Sequence, residues 1–127
     1  MKPQINKAIM IPVNGKDDFF RSWFEMLKPF HHLTNRAMDV ATALLKKRYE
    51  LSKVINDTQI LDKILFSTDV QKEIRSECNL SIPQFYAILN KLRNSNVVID
   101  NKINTKFIPN LNEDDDKFKL LILFDFK

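Results

Sequence analysis

Gln84, Tyr86, Ala87, Asn90 and Lys91 share a segment, 82–94, with Phe85, Ile88, Leu89 and Leu92. At helical spacing the four apolar residues form one stripe, and the polar set falls outside it. The carboxamides of Gln84 and Asn90 each hold a donor beside an acceptor, the pattern that matches the major-groove edge of adenine. Lys91 can donate to guanine or to phosphate. Ser81, Arg93, Lys102 and Lys106 lie close by in sequence and suit phosphate contacts, which position a protein on a duplex without reading its sequence. The chemistry these residue types could do is binding of duplex DNA, and no catalytic residue, metal or cofactor is expected.

Other chemistries find little support. His31 and His32 are adjacent, so on a helix they face different ways, and no third histidine completes a metal site. Their expected place is a loop or a helix start. With Gly15 as the sole glycine, a glycine-rich phosphate loop cannot form. The lone Cys78 excludes an internal disulfide and is expected to be a small core residue. Four successive carboxylates, Glu113, Asp114, Asp115 and Asp116, could hold a hard cation weakly, but a solvated turn is the simpler expectation.

These residues sit in a chain of 127, about one domain, with 44% hydrophobic and 28% charged residues. No apolar run approaches the ~20 residues that span a bilayer, and the first residues lack the apolar core of a signal peptide. A cytoplasmic location is expected. The formal net charge is +4. Residues 1–67 and 68–108 are mildly basic and 109–127 are acidic, so a polyanion could bind only part of the surface. With one glycine, the turns must rely on Asn and Asp, which tolerate left-handed backbone.

Stepping along the chain, alternation at Ile9, Ile11 and Val13 predicts a short strand within 5–13, ended by a turn at Asn14 and Gly15. Phe20, Trp23, Phe24 and Leu27 predict a helix over 17–27, with Pro29 beyond its end. Thr34 caps a long helix, about 35–51, whose basic run Lys46, Lys47 and Arg48 complements the helix dipole. A short helix over 57–66 follows, with Ile60, Leu61, Ile64 and Leu65 as its buried side. Thr68 and Gln71 form a capping-box pattern for a helix at about 69–78, in which Ile74 and Cys78 face inward. Ser81 and Gln84 repeat the box for 82–94, with Leu80 and Phe85 as hydrophobic staple and Pro83 in the first turn. Strands are predicted at 97–99 and 103–108 around a tight turn at Asp100 and Asn101. A polar loop leads to a last strand at 118–126, whose near-continuous apolar run needs cover on both faces.

Residues 34–126 resemble the winged helix-turn-helix superfamily of DNA-binding domains. The resemblance implies an α+β fold of about five helices with a small antiparallel sheet built from the N-terminal strand, the wing strands and the C-terminal strand. In it, 34–51 looks like the first supporting helix, 68–78 the second, 81–94 the recognition helix and 103–124 the wing. The small size and the extra helix at 57–66 are also similar to small bacteriophage proteins. Three departures stand out. Asn79 stands where the motif usually has Gly, Arg75 where a small residue is usual, and the loop at 113–116 is acidic where a wing normally offers cations to phosphate.

The resemblance implies a small transcription or replication regulator that acts by occupying DNA. The alternative is a winged-helix interaction module, such as a phage structural or assembly component, which the acidic loop favours. The aromatic cluster of Phe19, Phe20, Trp23, Phe24 and Phe30 is either core or the interface of a homodimer.

Overall fold

The computed structural model describes residues 7–126. Six helices and one short hairpin follow in order: α1 (Gly15–Met26), α2 (Lys28–His31), α3 (Asn35–Ser52), α4 (Thr58–Leu65), α5 (Thr68–Glu77), α6 (Ile82–Asn94), β1 (Val98–Ile99) and β2 (Lys102–Ile103). A 3-10 turn, Thr105–Phe107, comes after β2. The fold is mostly helical with a small two-stranded antiparallel sheet.

Helix α3 is the axis of the packing, touching α1, α4, α5 and α6. Thr34 starts it as expected, its hydroxyl accepting from Ala37 N at 3.2 Å. Ala37, Met38, Val40, Ala41, Ala43, Leu44 and Leu45 are all buried. Small residues at three of these seven positions let neighbouring helices approach closely. Phe20, Trp23 and Phe24 of α1 complete this core together with Phe85, Leu89 and Leu92 of α6. The aromatic group is therefore largely interior, and Phe30 is its one well-exposed member.

Asparagine does the work of the missing glycines. Asn79 after α5 and Asn96 after α6 both have left-handed backbone, with φ of 54° and 62°. At each end the next N–H turns back into the helix, Leu80 N to Arg75 O at 2.9 Å and Val97 N to Leu92 O at 2.9 Å. These are Schellman ends, in which the left-handed residue satisfies carbonyls that the helix leaves open. Asp100 and Asn101 also have positive φ, 52° and 55°, the requirement of the tight hairpin turn expected there. The register pairs Val98 with Ile103 and Ile99 with Lys102, so Val98 and Ile103 face the core together.

Several expectations need correction. No strand forms at 7–13, which lies outside helix and sheet and is exposed, while residues 5 and 6 fall outside the described part. No strand forms at 118–126 either. A strand exists only through pairing, and β1 and β2 are too short to offer either segment an edge. The second hairpin strand stops at Ile103, because Asn104 turns the chain into the 3-10 turn by accepting from Lys106 N at 3.1 Å. Helix α1 begins two residues earlier than expected; Pro29 lies beyond its end as expected, and there sits in the first turn of the unpredicted four-residue α2.

Ser67 caps α5, one residue before Thr68, and accepts from Val70 N at 3.4 Å. Ile60 points to solvent, leaving Leu61 and Leu65 as the buried side of α4. Lys46, Lys47 and Arg48 do not sit in the last turn of α3, which runs on to Ser52. They instead pair with carboxylates on three other helices: Asp17 at 3.7 Å, Glu73 at 2.7 Å and Asp62 at 3.9 Å. No described helix is long and apolar enough to cross a membrane.

Candidate nucleic-acid interface

The α5–α6 pair is built from caps inward. Ser81 opens α6 with a complete capping box: its hydroxyl accepts from Gln84 N at 3.3 Å, and Gln84 Oε1 accepts from Ser81 N at 2.9 Å. Phe85, Ile88, Leu89 and Leu92 then bury the inner face, as their spacing predicts. Gln84, Tyr86, Ala87, Asn90, Lys91 and Arg93 are exposed. Helix α6 carries no Asp or Glu.

The outer side chains are not equally free. Gln84 has its oxygen committed to the cap, which leaves the amide NH2 as its outward group. Tyr86 donates its hydroxyl to Gln71 Oε1 at 3.2 Å, tying α6 to α5. Asn90 Oδ1 accepts from the Arg93 guanidinium at 3.2 Å, and the same guanidinium reaches Asn101 Oδ1 in the hairpin turn at 3.4 Å. Ala87 and Lys91 are one helical turn apart and open to solvent. Asn90, Lys91, Arg93 and the turn residue Asn101, next to Lys102, thus make a continuous polar group. Lys106 is held elsewhere, its ammonium 5.6 Å from the ring centre of Phe30.

Three positioning residues escape a reading of the sequence alone. Gln71 bridges α5 and α6, and its amide also donates to Phe66 O at 3.2 Å. Arg36, in the first turn of α3, donates to Asn79 O at 3.3 Å and so fixes the turn between α5 and α6. Asn101 steadies Arg93. All three act across elements, so local pattern gives no signal for them. Ile82, exposed in the first turn of α6, is a fourth surface residue that the sequence reading left out. Its spacing of three and seven residues from Phe85 and Leu89 puts it at the edge of their stripe, so periodicity gives no signal for its exposure.

The acidic loop is docked away from this pair. Glu113 meets Lys53 at 2.9 Å, and Lys16 donates to Asn112 O at 2.8 Å. The Lys53 ammonium holds the Glu113 carboxyl below its ordinary range. Lys53 and Arg36 stand at opposite ends of α3, about 25 Å apart at 1.5 Å per residue. Loop and turn are therefore separated by roughly the length of the central helix.

The two histidines play different parts. His32 is exposed and takes a left-handed φ of 54°. His31 is buried; its Nε2 lies 2.7 Å from Phe24 O, and its Nδ1 accepts from Leu33 N at 2.9 Å. A backbone N–H needs a lone pair and a carbonyl needs a proton, so the ring is the neutral Nε2–H tautomer. Burial lowers its pKa below the ordinary value. Cys78 is half-buried against the core, and burial raises its thiol pKa. Among the described residues, no group of three or more His, Cys, Asp or Glu is placed to hold a metal ion. Compared with known proteins, the chain matches no protein-family profile, no curated protein and no solved structure.

Proposed function

We propose that this chain is a winged-helix domain that binds duplex DNA through α6, a small regulator of transcription or replication acting by occupancy. The observation that carries the reading is the outer face of α6. It presents Ala87, Asn90, Lys91 and Arg93, lacks any carboxylate, and is joined through Arg93 to the hairpin turn beside Lys102. At 13 residues α6 is about 20 Å long, and an α-helix of ordinary width fits the major groove. The order of α3, α5, α6 and hairpin supports the same reading, as does the seat of the acidic loop at the far end of α3.

In this reading Asn90 and Lys91 read base edges, with Gln84 contributing its amide donor, and Ala87 and Tyr86 shape the contact. Ser81, Arg93 and Lys102 meet phosphates. The exposed apolar segment 120–126 favours the second reading, an interaction module that meets protein rather than DNA.

Fluorescence anisotropy with mixed-sequence duplex at about 50 and 200 mM salt separates the two. DNA binding predicts an affinity that falls steeply with salt and is lost in the Lys91→Glu, Arg93→Glu variant. Absence of binding by the wild type at the lower salt would overturn the DNA reading in favour of the interaction module.

A further inference from the structure

Residues 118–126 read Phe-Lys-Leu-Leu-Ile-Leu-Phe-Asp-Phe and belong to no helix or sheet. Leu120, Leu121, Ile122, Leu123, Phe124 and Phe126 are all exposed, Phe124 by 84% and Phe126 by 96%. Phe118 packs on α1, its ring 5.3 Å from that of Phe19 and 5.4 Å from that of Trp23. So large a contiguous apolar segment in water marks an interaction site. The order of its residues identifies what fits it.

The segment is complementary to itself when run antiparallel about Ile122. That register sets Phe118 against Phe126, Lys119 against Asp125, Leu120 against Phe124, Leu121 against Leu123, and Ile122 against its own copy. Each pair joins apolar to apolar or cation to anion, and the Lys119–Asp125 pair occurs twice by symmetry. Moving the axis by one residue sets Leu121 against Asp125, or Leu123 against Lys119. The axis at Leu121 still sets Asp125 against Lys117, so it is the match of every position from 118 to 126, charged and apolar together, that selects the register about Ile122 and a second copy as the partner.

We infer that two copies of this chain associate through antiparallel pairing of residues 118–126 about a two-fold axis at Ile122. Alternation along the ribbon puts Phe118, Leu120, Ile122, Phe124 and Phe126 on one face. Phe118 fixes that face toward α1, so Phe126 comes beside Phe118 of the partner subunit and extends the Phe19 and Trp23 cluster. The other face carries Leu121 and Leu123 flanked by the two charge pairs, the partly solvated face that an antiparallel ribbon tolerates. This inference is independent of DNA binding.

The test is sedimentation of the full chain with a charge swap. Wild type is expected at twice the 15.0 kDa of one chain. Lys119→Asp sets aspartate opposite aspartate, and Asp125→Lys sets lysine opposite lysine. Each variant alone should dimerise about tenfold more weakly or worse. An equimolar mixture of the two should recover the dimer, because every charged position again faces its opposite. Circular dichroism of each variant should keep the helical signal. Under oxidation, Ile122→Cys should give a cross-linked dimer. Leu120→Cys should not, since its two copies would lie about 14 Å apart, beyond disulfide reach. A monomeric wild type, a dimer indifferent to the charge swap, or open-ended assembly would each overturn the inference.

Discussion

The guanidinium of Arg93, near the end of α6, donates to Oδ1 of Asn101 in the hairpin turn at 3.4 Å. It spans from a helix to a turn eight residues later, and it also holds Asn90 on its own helix. One side chain thus ties two other polar groups together on the proposed DNA-facing surface.

Replacing Arg93 separates its charge from its scaffold. Arg93→Ala should reduce DNA affinity and lower the slope of log affinity against log salt by about 1, one phosphate contact. Stability should change by no more than about 0.5 kcal/mol, because both hydrogen bonds are exposed. Asn101→Gly preserves the left-handed turn but removes the acceptor. It should weaken binding with the salt slope unchanged. Anisotropy across a salt series reads both variants.

Gln84 has a structural use and a proposed recognition use, and two substitutions divide them. Gln84→Glu keeps an acceptor at the third helical position and so retains the capping box. It loses the outward amide donor and adds a negative charge, so DNA affinity should fall while the melting temperature holds. Gln84→Ala should cost about 0.5 kcal/mol of stability through the lost cap. Asn90→Ala, which removes no cap, should cost about 1 to 3 kcal/mol at preferred sites and little on random sequence. Equal losses on all sequences would remove Asn90 as a base reader.

His31 makes stability depend on pH. Its folded pKa lies below the unfolded value of about 6.5, because burial penalises the imidazolium and Leu33 N needs the Nδ1 lone pair. The unfolded chain therefore takes up the proton first as pH falls. The contribution of His31 is complete above about pH 6.5 and is lost as pH falls toward the folded pKa, by up to about 1.4 kcal/mol per pH unit. Urea unfolding between pH 7.5 and 5 should show this slope, and His31→Gln should flatten it.

The acidic loop should be nearly silent in DNA binding. Converting Glu113, Asp114, Asp115 and Asp116 to their amides raises the net charge by four. Yet the loop is docked at Lys53, about 25 Å along α3 from the turn that leads into α6, against a Debye length of about 8 Å at physiological salt. Affinity should rise by less than about threefold. A rise of tenfold or more would place the loop against the duplex.

The sequence by itself determined five of the six described helices and most of their ends, though not the short α2 or the Ser67 cap of α5. Ser81 with Gln84, Thr34 with Ala37 and Asp57 with Gln59 are short-range hydrogen bonds, and the buried stripe of Phe85, Ile88, Leu89 and Leu92 follows from period alone. The left-handed turn at Asn79 and the tight turn at Asp100 and Asn101 were legible for the same reason, since local backbone preference decides them. The tertiary structure decided everything that depends on a distant partner. Residues 7–13 and 118–126 carry strand-like patterns, but a strand needs an edge, and this sheet ends after two short strands. The Lys46–Arg48 run reads as a dipole complement until Asp17, Glu73 and Asp62 arrive from three other helices. Arg93 and Asn101 meet because the hairpin packs on α6, and Gln71 and Tyr86 because α5 and α6 both pack on α3; neither pair is encoded in any local spacing.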